Sequence, residues 1–208
     1  MIMSKSILST TSRETIESIS LLAYVAEAAE WDNRSHLRRV KAYAFTLFTG
    51  LGLKTTEAEL LALACVLHDV GKAATPDELL KRQGSYTTAE WQMMERHTID
   101  GEKILRDASS PILRAGAIIA HTHHERWDGS GYPHHTIGEE IPLSGRVCAV
   151  VDVFDALTTS RLYKDPVDFD EAFDLVRRSS GTLFDPAVVQ AFVNSRSEFL
   201  SLHNTRGE

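Results

Sequence analysis

The chain has 208 residues, of which 43% are hydrophobic and 25% charged, and its formal net charge is −7 at pH 7. The length suits one domain with a small appendage, and the composition is that of an ordinary globular protein. The acidic balance argues against a surface that coats DNA or RNA, because such surfaces are basic. Bound metal ions can still bring a nucleotide to an acidic protein.

The sequence also bears on the cellular compartment. No run of about 18 apolar residues predicts a membrane span, and the first residues lack the sustained apolar segment of a signal peptide. Cys65 and Cys148 lie in apolar runs without a CxxC pair, which favours two buried thiols and a reducing compartment. We therefore expect a cytoplasmic protein that binds neither a membrane nor a nucleic-acid polymer.

The first half of the chain has the apolar spacing of amphipathic helices. The segments RETIESISLLAYVAEAAEW and SHLRRVKAYAFTLFTGLGL predict two helices, and the second meets its stop signals at Gly50 and Gly52. Thr56 is a suitable N-cap for EAELLALACVLHD. That helix is apolar nearly all round, so we expect it to be buried.

The second half continues the helical pattern. TTAEWQMMERHTIDGEKILRD and SPILRAGAIIAHTHH predict two helices, and the latter has Ser110 as N-cap and Pro111 in the first helical position. The run VCAVV could belong to a strand, but its surroundings favour a helix. FDEAFDLVRRSSG and DPAVVQAFVNSRSEFL close the chain. The sequence predicts one all-α domain over residues 31–208, preceded by an N-terminal helical extension over residues 1–30.

Several histidines and carboxylates stand inside or at the end of these apolar helices. They are His68, Asp69, His97, His123, His124 and Asp152. Any one of them could be a hydrogen-bonded core residue, but burying an ionised carboxylate is costly unless a cation or several donors satisfy it. One metal cluster would satisfy all of them together, and we favour that interpretation.

The residue types indicate the class of metal and the chemistry. Imidazoles and carboxylates without thiolates suit iron, manganese, nickel or zinc. Asp69 could bridge two ions through its two oxygens, and ions about 3.5–4 Å apart can clamp the attacking and leaving oxygens of a phosphoryl transfer. Lys72, one turn beyond His68, is placed to neutralise a phosphate oxygen in the transition state. The alternative for Lys72 is a solvated lysine at a helix end.

Three motifs make the pattern more specific. HDVGK, HHERWDGSGYP and VVDVFDALTTSRLYK, in this order, resemble the HD-GYP family. This is a branch of the HD phosphohydrolases whose members hydrolyse the bacterial second messenger cyclic di-GMP. The match runs from about residue 32 to residue 186 and includes IPLSGRV and GTLFDP. The resemblance implies an HD-domain helical bundle with a metal cluster in its core and the GYP loop beside it.

The resemblance also implies roles for individual residues. The implied metal ligands are His36, His68, Asp69, His97, His123, His124 and Asp152. Asp69 would bridge two ions, Lys72 would contact the scissile phosphate, and Arg161 and Lys164 would bind the nucleotide. A straight helix from Asp152 would carry Arg161 about 13 Å away and towards the opposite face. We therefore expect that helix to end or bend around residues 158–160.

Asp32 stands four residues before His36, so on one helix the two side chains would share a face. Family members that hold three metals carry a carboxylate at this position, usually glutamate. DNRS also fits an N-cap or a loop, so ligation of a third metal by Asp32 and a capping role both remain open.

The leading hypothesis is a cyclic di-GMP phosphodiesterase that yields linear pGpG, and both pGpG and GMP remain open as the final product. It would use two or three divalent ions, with iron or manganese favoured over nickel or zinc. A second hypothesis changes the substrate to another cyclic dinucleotide or a nucleotide phosphate. A third is a receptor or interaction module that binds cyclic di-GMP without hydrolysing it. The chain keeps every ligand and the lysine, which favours an enzyme. A homodimer and a separate regulatory protein partner are further expectations.

Overall fold

The computed structural model describes residues 13–27, 33–160 and 165–205. These residues form helices and loops, with no β-strand in the described ranges, so the prediction of an all-α fold is confirmed. The α-helices are α1 (Arg13–Ala26), α2 (Asn33–Gly50), α3 (Thr55–Cys65), α4 (Asp77–Leu80), α5 (Thr88–Leu105), α6 (Pro111–Thr122), α7 (Leu143–Thr158), α8 (Phe169–Arg178), α9 (Pro186–Asn194) and α10 (Arg196–Asn204). Two 3₁₀ helices span Val70–Ala74 and Gly138–Glu140.

Local capping explains several helix starts. Thr87 and Glu90 form a reciprocal capping box at the start of α5, which satisfies two backbone donors that the first turn leaves open. Pro111 occupies the first turn of α6 as expected, although the Ser110 hydroxyl makes no capping bond. The prediction that Thr56 caps α3 is wrong: the N-cap is Lys54, and Thr56 already lies inside the first turn.

The end of α7 agrees with the sequence. The helix stops at Thr158, and Thr159 has extended backbone angles, φ −113° and ψ 139°. The Thr158 hydroxyl donates to the Phe154 carbonyl oxygen at 2.9 Å, a local bond of the kind that competes with helix continuation. The predicted interruption around residues 158–160 is therefore confirmed.

The core is formed by helices that pack around α3 and α7. Helix α3 contacts α2, α6 and α7, and α7 also contacts α2, α6, α8 and α9. An aromatic cluster joins α2 and α7 to the C-terminal helices: the Tyr43 ring of α2 stacks on Phe199 of α10 at 4.5 Å, and Phe154 of α7 lies 5.3 Å from Phe192 of α9. Both cysteines are free and buried, as predicted.

The apolar stripe of α1 faces this core as well. Ile19, Ala23 and Ala26 are buried in the same apolar cluster as the helices that follow. The division at residue 30 between extension and domain stays a prediction. Among the described helices, none has the length and apolar character that a bilayer crossing requires.

Gly71 allows the 3₁₀ helix Val70–Ala74 to touch α5 directly. A Cβ atom at this position would lie 1.9 Å from the carbonyl oxygen of His97 and 2.5 Å from the backbone nitrogen of Gly101. Both are backbone atoms and cannot rotate away. The glycine of HDVGK therefore sets how closely Asp69 and Lys72 approach His97.

We expect Gly71→Ala to destabilise the fold by at least about 1–3 kcal/mol, because the added carbon forces two backbones apart. The same shift would separate Asp69 from His97 and weaken metal binding. Urea unfolding and metal analysis would measure the two effects. Gly50→Ala is the matched control, since its new Cβ would meet only the Ser195 hydroxyl, at an ordinary 3.4 Å, and the Ala191 methyl. Equal stability of the two variants would contradict the prediction.

Candidate metal centre

Seven side chains from five parts of the chain converge inside the helical bundle. The ligand atoms of Asp69, His97, His123 and His124 lie within 4.8 Å of one another, as do those of His36, His68 and Asp152. The second set comes from α2, the turn after α3 and α7, whereas the first adds α5 and the end of α6. The structure thus brings together all seven residues that the resemblance implies as metal ligands. Their roles as ligands stay a prediction.

Asp69 stands between the two sets. Its Oδ1 atom lies 3.2 Å from His97 Nε2 and 3.7 Å from His123 Nε2, while Oδ2 lies 3.2 Å from His68 Nε2. One carboxylate oxygen therefore faces each set. Burial opposes ionisation of Asp69, but Lys72 and His68 outweigh it and hold the pKa of this carboxyl well below its usual range. This geometry would allow Asp69 to bridge two ions, a role that stays a prediction.

Backbone carbonyls fix the tautomers of three imidazoles. The Nδ1 atoms of His68 and His97 lie 3.0 and 2.7 Å from the carbonyl oxygens of Cys65 and Met94, and His123 Nδ1 lies 3.0 Å from that of Ala120. A carbonyl oxygen only accepts, so each Nδ1 carries a proton, and in the neutral imidazole Nε2 is then the nitrogen that can bind a metal. Metal-binding histidines are oriented in this way.

Two buried atoms of the centre support a cation site directly. His68 Nε2 and Asp69 Oδ1 are buried without a hydrogen-bond partner among the described residues. Buried polar atoms are nearly always bonded, so such atoms call for a partner such as an ion. Burial and the neighbouring His123 also lower the pKa of His124 well below its usual range. His124 is then neutral at pH 7, as ligation requires. The donor set fits divalent metal ions.

Behind His36 lies a buried pair that the sequence analysis missed. Asp155 Oδ2 accepts from His36 Nδ1 at 2.8 Å, and the same carboxylate takes two bonds from Arg39, at 2.5 and 3.0 Å. Burial opposes ionisation of Asp155, but His36 and Arg39 lower its pKa to about 2. His36 Nε2 is thereby directed towards Asp152 Oδ1, 3.9 Å away. The signal in the sequence was the three-residue spacing from Asp152, which places both carboxylates on one face of α7.

We expect Asp155→Asn to weaken metal binding by about 10–100-fold, the usual cost of losing a partner that orients a metal ligand. It would also destabilise the fold by about 3–5 kcal/mol, because Arg39 would lose its buried counter-charge. Mn²⁺ titration and urea unfolding would measure the two effects. Asp174→Asn, which breaks an exposed pair with Arg177, is the control. Unchanged Mn²⁺ affinity would show that Asp155 serves the fold alone.

A second missed carboxylate belongs to Glu27, at the end of α1. Its side chain is 1% exposed, and one of its oxygens lies within 4.8 Å of the ligand atoms of His68 and Asp69. Burial raises the pKa of Glu27 to about 7. The sequence signal was an acidic residue four positions after Ala23, within the apolar stripe of the helix.

Glu125 holds the GYP loop, the segment that contains Gly131, Tyr132 and Pro133, beside the centre. Its buried carboxylate accepts from the backbone nitrogens of His134 at 2.7 Å and Thr136 at 3.1 Å. The Tyr132 ring stacks on His124, with centroids 4.7 Å apart. Tyr132 therefore packs directly against one of the predicted metal ligands.

The remaining predicted site residues fall into two groups. Lys72 lies at the centre, with its Nζ atom 2.6 Å from Asp69 Oδ2, so the interpretation as a solvated lysine is wrong. Asp32, Arg161 and Lys164 lie outside the described residues.

Comparisons with known proteins agree with this geometry. The family model of the HD domain matches residues 12–188. A cyclic di-GMP phosphodiesterase of Thermotoga maritima is 38% identical over 187 residues, which cover 90% of this chain and 51% of the relative. A 3'3'-cGAMP-specific phosphodiesterase of Vibrio cholerae is 38% identical over 192 residues, covering 92% of this chain and 36% of the relative. The chain thus spans about half the length of these curated relatives, or less.

The fold has a solved counterpart. The crystal structure of a cyclic GMP-AMP specific phosphodiesterase of V. cholerae superposes with a TM-score of 0.68 at 21% identity, covering 89% of this chain and 50% of that one. The expected HD-domain helical bundle is confirmed. This chain belongs to the HD domain family, in its HD-GYP branch.

Proposed function

We propose that this chain is a metal-dependent phosphodiesterase that opens cyclic di-GMP to linear pGpG, and that the reaction continues to GMP. The observation that carries the proposal is Asp69, whose two oxygens face two separate sets of imidazoles. Two bridged ions are the arrangement used for in-line displacement at phosphorus. The identity with curated cyclic di-GMP phosphodiesterases supports the substrate.

The proposed ligands divide between two ions that share Asp69. His97, His123 and His124 would hold one ion, and His36, His68 and Asp152 the other. When bound, such ions polarise the phosphate and provide hydroxide at neutral pH. The donors are nitrogen and oxygen only, which suits iron or manganese, with nickel and zinc as alternatives. A third ion at Asp32 remains part of the proposal.

Three basic side chains of this chain would bind the two phosphates of the substrate. Lys72 lies beside the bridging carboxylate, where its ammonium can stabilise negative charge that develops on the scissile phosphate. Arg161 and Lys164 would bind the second phosphate, which only a dinucleotide carries. We place the reaction in the cytoplasm, and a homodimer and a separate regulatory protein remain proposed partners.

Product chromatography with metal-loaded protein tests this function. We expect cyclic di-GMP to disappear and pGpG to form before GMP. Because some relatives are specific for 3'3'-cGAMP, that nucleotide is the matched alternative substrate. Faster turnover of 3'3'-cGAMP would reassign the substrate. A fully metallated protein that binds cyclic di-GMP and leaves it intact would identify a receptor instead of an enzyme.

A further inference from the structure

Helix α1 carries a carboxylate into the metal centre. Glu27 follows the last residue of α1, and its backbone nitrogen still donates to the Ala23 carbonyl oxygen at 3.1 Å. The helical turn therefore continues through this residue. Ile19 and Ala23 precede Glu27 by eight and four positions and are both buried. Residues with this spacing share one helix face, so the side chain of Glu27 turns inwards with them.

Small side chains let α1 approach closely. Ala23 and Ala26 are both buried, and α1 packs against the 3₁₀ helix Val70–Ala74, which directly follows Asp69. The contact places an oxygen of Glu27 within 4.8 Å of the ligand atoms of His68 and Asp69, so the three side chains could bind one ion. An apolar side chain at position 27 would also fill this space. A carboxylate there offers a metal ion an oxygen ligand, which an apolar side chain lacks.

His68 determines how many ions this arrangement can serve. Its Nδ1 atom donates to the Cys65 carbonyl oxygen, so only Nε2 is available for ligation, and one nitrogen lone pair binds one ion. His68 belongs both to the set with His36 and Asp152 and to the set with Glu27 and Asp69. The two sets therefore meet at a single ion.

We propose that Glu27 is a ligand of the metal ion that His68 holds, and not of the ion that His97, His123 and His124 hold. It adds a hard oxygen donor and a negative charge to a position that otherwise has two imidazoles, Asp152 and a share of Asp69. The predicted extension, residues 1–30, then supplies part of the metal centre. This inference rests on the proposed metal cluster and does not depend on the substrate.

Equilibrium dialysis with Mn²⁺, with metal counted per chain, tests the proposal. We expect Glu27→Gln to weaken the binding of one Mn²⁺ by at least about 10–100-fold. This is the range seen when even a residue that only orients a metal ligand is removed. The other ion should keep its affinity. Glu27→Asp retains the charge on a shorter side chain and should restore part of the loss. Glu17→Gln, on the exposed face of the same helix, is the control.

Thermal unfolding separates ligation from a structural role. Glutamine has the size of glutamate without its charge, so the metal-free variant should unfold at a Tm no lower than that of the metal-free wild type, and the rise in Tm with Mn²⁺ should shrink. Wild-type Mn²⁺ affinity in Glu27→Gln would overturn the proposal, whatever the protein hydrolyses. Loss of one ion in a protein that leaves cyclic di-GMP intact would support Glu27 as a ligand and reject the proposed function.

Asp32→Ala, measured in parallel, distinguishes this ligand from a third-metal site. If Asp32 anchors a separate third ion, its removal lowers the count by one and leaves the His68 ion at wild-type affinity. If Asp32→Ala instead produces the loss predicted for Glu27→Gln while Glu27→Gln has none, Asp32 is the ligand of the His68 ion and the assignment to Glu27 is wrong.

Discussion

Asp69→Ala is expected to abolish both metal binding and hydrolysis while the helices remain. Each oxygen of Asp69 faces a different set of imidazoles, so its removal deprives both ions of a shared ligand and of negative charge. We expect fewer than one ion per chain. Turnover should fall by more than about 10³-fold. Loss of a single transition-state donor costs only about 10²–10³-fold. Metal analysis, product chromatography and far-UV circular dichroism would measure the three properties.

Asp185→Ala is the matched control for Asp69→Ala. Asp185 is also buried and also pairs with a cation, with Oδ2 2.6 Å from Arg146 Nη1, but it belongs to neither set of metal-ligand candidates. Its loss should lower stability without lowering the metal count. Hydrolysis by a metal-replete Asp69→Ala variant would contradict the bridging role. Equal loss of metal from both variants would trace the effect to general damage of the fold.

The helices and most residues of the metal centre could be predicted from the sequence, because the patterns that indicate them are local. Apolar spacing identified the helices, and polar residues such as His97 and Asp152 stood out because they interrupt apolar runs. The end of α7 could also be predicted from a local signal, since hydroxyl side chains at the helix end compete for its backbone hydrogen bonds. The N-cap of α3 was harder to place, because Thr55 and Thr56 both suit a helix start and the helix begins before either could cap it.

The missed residues depend on contacts between distant parts of the chain. Arg39 and Asp155 are separated by 116 residues, so no local pattern pairs them, and Arg39 alone looks like one more cation on an amphipathic helix. Glu27 was visible as an acidic residue in an apolar stripe, but only the packing of α1 against the 3₁₀ helix shows what it faces. Gly71 likewise looks like a turn glycine until the backbone of α5 lies against it.

Lys72→Ala is expected to separate turnover from metal binding. The ammonium lies 2.6 Å from Asp69 Oδ2, on an oxygen that a metal ion also needs, so its removal leaves one cation fewer to compete for that carboxylate. The variant should therefore keep its full metal count. Its kcat should fall by about 10²–10³-fold, because the negative charge that develops on the phosphate loses its cation in the transition state.

The KM for cyclic di-GMP should change much less than kcat in Lys72→Ala, since an interaction made mainly in the transition state contributes little to substrate binding. Lys72→Arg, which keeps the charge in a different shape, should recover part of the rate. Lys81→Ala removes an exposed lysine that pairs with Asp77 and should leave kcat, KM and metal content unchanged. Loss of metal from Lys72→Ala would show that the lysine holds Asp69 in place, and a large rise in KM at constant kcat would make Lys72 a substrate-binding residue. Only a fall in kcat at full metal content assigns its charge to the transition state.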